Sequence, residues 1–323
     1  MKKIISTALC FALFYSVNLS AQTDDSTTSE QSSVIHSFIE QNTVVSSAAE
    51  KTNEAYKPII AYSAVGLLFA GTLLYGLEAW DWGDQKEFRW AHEGFFGKST
   101  DSGGADKVGH MYAHYVVQRG FYNFFEWANF SRTECLWWSV GVATGIGTII
   151  EVGDGFTGRY GYSWEDWTAD VTGVALGAAL EHFPTVDEFV SLSIGYKPTQ
   201  GFKDDTKGRK RLHITGDYSG HKVMLNFKLA GFKAIGYNIP EFMRYIMIDV
   251  GYYTRGYTDY DTYAGTDSKK TRHPYIGISL NFMEVVKDFF SEEKRSSLLC
   301  RGLQQPFKYY HVPVGHDWDY TLK

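Results

Sequence analysis

Cysteine is scarce, with three in 323 residues, which excludes a fold stapled mainly by disulfides. Positive charge is not in excess either: 31 Lys+Arg stand against 37 Asp+Glu, for a formal charge of -6. That balance removes the electrostatic argument for a nucleic-acid partner. The chain has no Gly-x-Ser-x-Gly elbow, no phosphate loop and no Cys-x-x-Cys pair. The commonest hydrolase, nucleotide-binding and structural-zinc signatures are therefore missing. What the chain does carry is apolar and aromatic mass. Hydrophobic residues make up 44%, enough for a sizeable core, and 22 Tyr, 22 Phe and 9 Trp suit a membrane interface better than bulk water.

The N-terminus reads as an export signal. Met1-Lys2-Lys3 precedes an apolar run from Ile4 to Val17, and Ala21 offers the small residue for cleavage. Residues 1–21 are thus expected to be a signal peptide. Cys10 follows Leu9, where lipidation wants a small residue. Cys135 and Cys300 remain after cleavage, as a disulfide pair or as two buried thiols. Residues 22–57 form a polar leader with one short helix expected near 34–49.

A helical domain is expected over 58–184. Pro58 opens an uncharged run from Ile59 to Leu77, about twenty residues, long enough to span a bilayer. Trp80, Trp82 and Trp90 follow it like an interfacial belt. Further helices are expected from Asp106 to Trp127, from Ser131 to Ile150 and from Ser163 to Glu181. Ser131 and Glu134 have capping-box spacing, and Gly141/Gly145 and Gly173/Gly177 permit close helix contact. After Pro184 the period becomes alternating. Over 185–285 five antiparallel strands are expected, on Val190–Tyr196, Leu212/Ile214, Val223–Leu229, Ile246–Tyr252 and Ile276–Phe282. Five strands are too few for a closed outer-membrane barrel, so the sheet is expected to lie outside the hydrocarbon. Residues 286–323 read as a helix followed by a loop. The fold class is therefore α+β: a membrane-associated helical bundle followed by an antiparallel sheet.

The costly residues sit inside the helices. Asp106, His110 and His114 are four apart and share one helical face, with Lys107 beside them. Glu151 and Asp154 end the next apolar run. Arg159, Ser163, Asp166 and Asp170 follow. Such groups are expensive to bury unless paired or bound. Three readings stand. A divalent metal could sit on Asp106, His110, His114 and Glu151. His110, Glu151 and Asp166 could act as acid/base groups on a lipid or glycan headgroup, with Asp106, Lys107, His114, Asp154, Arg159, Ser163 and Asp170 binding it. Or the set is a structural network in which Lys107 and Arg159 pair the acids. Asp106 would serve a helix N-terminus and Asp166 a Ser163 capping box without any chemistry.

Asp106-Lys107-x-x-His110, Glu151-x-x-Asp154-Gly155-Phe156 and Tyr160-Gly161-Tyr162-Ser163-Trp164-x-Asp166 followed by Gly173 resemble the YfiM-like family of predicted periplasmic lipoproteins, a domain of unknown function. The likeness runs from about Pro58 to Phe282 and includes Asp217-Tyr218-Ser219-Gly220. A fainter likeness is to the VanZ-like membrane family, with Asp166, Asp170 and Gly173 on its third motif. Asp170 stands where both usually have Asn. The resemblance implies an envelope location and a shared site; neither family supplies a reaction. The expectation is an exported envelope protein of a Gram-negative-type bacterium. Its inter-helix Asp/His/Glu cluster would bind a headgroup, a glycan or a divalent metal, with hydrolysis open. The other class is a non-catalytic assembly factor, and a third is a small transport path.

Overall fold

A computed structural model describes residues 54–100, 102–205, 214–257 and 269–323. The expected signal peptide, Cys10, the short helix at 34–49 and Leu212 lie outside the described residues. The fold is α+β, as the change of period predicts.

Helix α1 (Lys57–Ala79) carries Pro58 in its first turn, where the missing N–H has no partner to lose. Only Ala61 and Gly76 of α1 are buried, while Leu67, Leu74 and Leu77 face outward. A short strand β1 (Trp90–Ala91) leads to α2 (Ala105–Trp127) and α3 (Arg132–Asp154). The Ser131 hydroxyl accepts from the Glu134 backbone N–H, and the Glu134 carboxylate accepts from the Ser131 N–H at 2.8 Å. This capping box fixes the start of α3. The helix continues a turn beyond Ile150, so Asp154 is helical and not part of a plain turn. Strand β2 (Tyr162–Ser163) pairs in parallel with β1 and precedes α4 (Trp164–His182). Both α1 and α3 are long and apolar enough to cross a membrane. The apolar window of α1 is 11% buried and that of α3 is 39% buried, so α1 is the more exposed of the two.

Glycine sets the helix spacing at two places. A Cβ at Gly173 would overlap the Met111 carbonyl, so α4 meets α2 backbone to backbone. The Trp82 indole fills the space beside both Gly76 and Gly153, and its Nε1 donates to Asp154 Oδ1 at 2.7 Å, pinning α1 to α3. Phe121, Phe125, Val142 and Ile146 pack with Ala61 into one core. A fully buried ring such as Phe125 contributes about 1.5–3 kcal/mol.

Helix α5 (Pro184–Phe189) turns the chain into β3 (Val190–Tyr196). After α6 (Gln200–Asp205) come β4 (His221–Lys228), α7 (Gly231–Ala234), β5 (Ile246–Arg255), β6 (Thr271–Leu280), α8 (Phe282–Asp288), α9 (Leu298–Tyr309) and β7 (Gly315–Asp319). The sheet is antiparallel throughout, in the order β3-β4-β5-β6-β7. Its membership departs from expectation twice. Ile214 lies exposed in a 3-10 turn, Ile214–Gly216, because no strand partner takes its backbone. The tail contributes β7 in its place. Just ahead of β7, the His311 N–H donates to the Ile194 carbonyl at 2.9 Å, and Tyr310 bridges Ile194 in parallel. The tail therefore touches edge strand β3 at Ile194 before it pairs with β6 as β7. Leu192 and Val223 pack with Tyr115 and Leu180, seating the sheet on α2 and α4. Cys135 and Cys300 are both buried free thiols, which decides against the disulfide.

An ion network locks the end of α2 remote from the polar cluster. Arg119 donates to both Asp187 oxygens, at 2.5 and 3.0 Å, and lies 2.8 Å from Glu181; Lys308 reaches Asp187 at 2.6 Å. Burial disfavours the Asp187 carboxylate, but Arg119 and Lys308 outweigh it and hold the group at about 2. A carboxyl depressed on folding stabilises the fold above its unfolded value, and that contribution is lost as pH falls through the folded value. Denaturant melts of Asp187→Asn between about pH 4 and pH 2 should show a shallower loss of stability than wild type. A second substitution tests the helix contact. Gly173→Ala should cost about 1–3 kcal/mol in the same assay. Gly141→Ala, where a Cβ meets nothing within 4 Å, should cost nothing.

Candidate functional site

The polar residues converge where the N-terminal turns of α2 and α4 meet the C-terminal turn of α3. The loop before α2 is tied there by the β1–β2 pair and by Gly94, whose N–H donates to Glu165 Oε1 at 3.1 Å. Lys107 is the hub, with its side chain only 5% exposed. Its ammonium contacts Asp166 Oδ1 at 2.6 Å and Asp106 Oδ2 at 3.2 Å, and it also binds the Glu93 carboxylate. Asp106 Oδ1 accepts from the Tyr218 hydroxyl at 2.6 Å.

His110 and His114 lie one turn apart with parallel rings, and both reach Asp170 on α4. His110 Nδ1 is 2.9 Å and His114 Nδ1 is 2.6 Å from Asp170 Oδ1. His110 Nε2 turns back toward Asp106 Oδ1 at 3.8 Å and Asp166 Oδ1 at 4.0 Å. Of the His110, His114 and Asp170 side-chain atoms, His114 Nε2 and Asp170 Oδ2 are buried without a hydrogen-bond partner. Both aim at Gly147 on α3, where a Cβ would stand 2.8 and 2.6 Å from them. Glycine at 147 keeps open the space that these atoms face.

Glu151 is buried beside the cluster and accepts the Ser163 N–H at 3.0 Å. Ser163 in turn caps α4 by accepting from the Asp166 N–H at 3.2 Å. A full Ser163/Asp166 box would need the Asp166 carboxylate on the Ser163 N–H. Glu151 takes that donor, which frees Asp166 for Lys107. Asp154 is engaged by Trp82 and serves the α1–α3 contact. Arg159 lies outside the cluster, exposed, with its guanidinium 5.1 Å from the Tyr160 ring. The structural expectation that Arg159 pairs the acids is therefore corrected; Lys107 alone does so among the described Lys and Arg residues. Glu93 and Tyr218 belong to the cluster and were not among the candidate site residues. Glu93 sits in an irregular loop, and Tyr218 stood out only within the Asp217-Tyr218-Ser219-Gly220 stretch of the family resemblance.

The charges follow from this crowding. Burial works against the Lys107 ammonium, but Asp106 and Asp166 more than offset it and hold it above its ordinary value. Burial likewise disfavours the charged form of His110, and Asp106, Asp170 and Asp166 together push it well above the usual imidazole range. Asp106 is held low against burial by His110 and Lys107. Asp166 is pushed up to about 7, by burial first and then by Asp106. Asp170 is held low against burial by His110 and His114. Of Asp106 and Asp166, the one that holds a proton more readily is thus Asp166.

Residues 92–182 match the family model described as predicted periplasmic lipoprotein (DUF2279). The matched stretch holds Glu93 and every helical residue of the cluster; Tyr218 lies beyond it. It supports an envelope-associated protein with exposure to the periplasm. No curated protein and no solved structure matches the chain.

Removing the hub charge would strand three carboxylates in a low-dielectric site. Lys107→Met should lower unfolding free energy by about 3–5 kcal/mol, read from denaturant titration. A cost below about 1 kcal/mol would mean that water already screens the acids.

Proposed function

We propose that this chain is an envelope protein, anchored in a bilayer by α1, that holds a divalent transition-metal ion between α2 and α4. The ligands are His110, His114 and Asp170, and the ion of choice is zinc, which suits a nitrogen- and oxygen-donor set. The observation that carries this reading is the triad itself. One ligand atom from each of the three residues lies within 4.8 Å of the others, and His114 Nε2 and Asp170 Oδ2 are buried, unpaired and turned toward the gap at Gly147. A cation there would satisfy both atoms and replace the protons now shared among the imidazoles and the carboxylate.

The ligand set differs from the sequence expectation. Asp170 takes the place of Asp106 and Glu151, which are committed to Lys107, Tyr218 and the Ser163 N–H. A second grouping, Asp106, His110 and Asp166, has ligand spacing too. Lys107 already occupies it with a positive charge. The same fact disfavours a phosphate headgroup as occupant, since the cation that would greet it is shared among three carboxylates. Asp106, Asp166 and Lys107 then form the polar surround of the metal, orienting His110 through its outer nitrogen.

Elemental analysis of the purified chain after zinc loading and dialysis tests this directly. The expected result is one zinc per chain, lost in His114→Ala and in Asp170→Ala, with chelation lowering the melting temperature of the wild type only. Circular dichroism spectra matching wild type keep loss of the ion distinct from loss of the fold. A folded wild type that retains no ion, or an Asp170→Ala variant that retains one, would leave the cluster as the hydrogen-bond network of an assembly factor.

A further inference from the structure

The sheet is built with its polarity reversed. One set of side chains forms the row Ser191, Asn226, Asp249 across β3, β4 and β5. These residues are 1–2% exposed. Hydrogen bonds run along this face: Ser193 Oγ, two residues from Ser191 on β3, donates to Asn226 Oδ1 at 2.6 Å, and Asn226 Nδ2 donates to Asp249 Oδ1 at 2.7 Å. The opposite face is apolar. Leu225, Val250, Ile276 and Trp318 are aligned across β4 to β7, and Phe227, Ile248 and Ile278 are aligned beside them. Where β3 and β4 lie on α2 this face is covered. Farther along it is open, with Ile248, Val250, Ile276, Ile278 and Trp318 from 39% to 56% exposed.

A sheet in water buries its apolar face and wets its polar one. The reverse arrangement, polar within and apolar without, is what hydrocarbon demands of a strand assembly. Three further observations favour lipid over a protein partner. The tail runs against edge strand β3 at Ile194, whose carbonyl accepts from the His311 N–H, so that edge group is satisfied as lipid requires. Strands β5 and β6 are each 10 residues long, the length that crosses a bilayer core at a tilt. And α1 leaves a second apolar surface open on the same molecule. A protein partner would explain the apolar face but not the polar interior.

We propose that the outer face of β5, β6 and β7 contacts the hydrocarbon of a phospholipid bilayer. This departs from the expectation drawn from strand number, which placed the sheet outside the hydrocarbon. It stands apart from the metal reading and needs none of its residues.

Nitroxide labels at Val250→Cys, Ile276→Cys and Ile278→Cys, in the full chain with Cys10→Ser, test the contact; Cys135 and Cys300 are buried. Leu74→Cys on α1 and the exposed Lys294→Cys serve as references. Each variant is reconstituted into phosphatidylethanolamine/phosphatidylglycerol vesicles. Collision with oxygen, which enters lipid, is then compared with collision with a nickel chelate, which stays in water. The expected result is oxygen dominance at 250, 276 and 278 and nickel dominance at 294. Nickel dominance at the three sheet positions places the face in water and overturns the inference. Low collision with both reagents there means that protein covers the face, a second copy included, and overturns it equally. Oxygen dominance at 74 with either of those results would leave α1 in the bilayer and the sheet outside it.

Discussion

The buried ammonium of Lys107 is the constraint on which the arrangement depends. A charge this deep is stable only if opposite charges are brought to it, and here they come from three places in the chain. Glu93 arrives from the loop before α2, Asp106 from the residue beside it and Asp166 from the first turn of α4. Each carboxylate is itself costly to bury, so the group holds together as a set. That requirement draws the α2 and α4 N-termini together and fixes the loop that would otherwise wander between α1 and α2.

Backbone contact makes this geometry possible. Gly173 lets α4 touch the α2 main chain at Met111, one residue from His110. With the helices at that separation, Asp170 on α4 reaches both histidines of α2. On the third side, Gly147 of α3 leaves open the space that His114 Nε2 and Asp170 Oδ2 face. Small residues that could be read as generic helix packing thus also set the distances among His110, His114 and Asp170. Trp82 plays the matching role at the margin. Its ring fills the hollows at Gly76 and Gly153 and holds the exposed helix α1 against the end of α3 that carries Glu151 and Asp154.

The sheet obeys a different balance. Its apolar residues alternate as they would in a soluble hairpin protein, yet much of that face is open and the polar rows are enclosed. Enclosure works because the polar groups find one another, Ser193 to Asn226 to Asp249, and because the tail returns to the first strand. The same tail sends Lys308 to Asp187 and thence to Arg119 on α2, so the edge of the sheet and the end of the bundle are fastened by one segment.

Periodicity and capping made much of this legible in advance. A 3.6-residue apolar period with Ser131 and Glu134 at its head reads as α3, and alternation after Pro184 reads as strands, because both patterns are local. The shared face of Asp106, His110 and His114 was legible for the same reason, as was the expense of burying Asp170. Which faces meet is not a local property. Nothing near Glu93 or Tyr218 marks them as partners of Lys107 and Asp106, and nothing near Arg159 says that it stays in water. Nor does the short run His316-Asp317-Trp318 announce a strand that replaces the one expected at Ile214. By itself the sequence determined the helices, the alternating strands and the presence of costly polar groups, since these depend on neighbours within a few residues. Tertiary structure decided which carboxylates share the ammonium, which pair of unpaired atoms faces the gap at Gly147, and which side of the sheet is inside. Those outcomes depend on distances between segments far apart in the chain, and such distances exist only once it has folded.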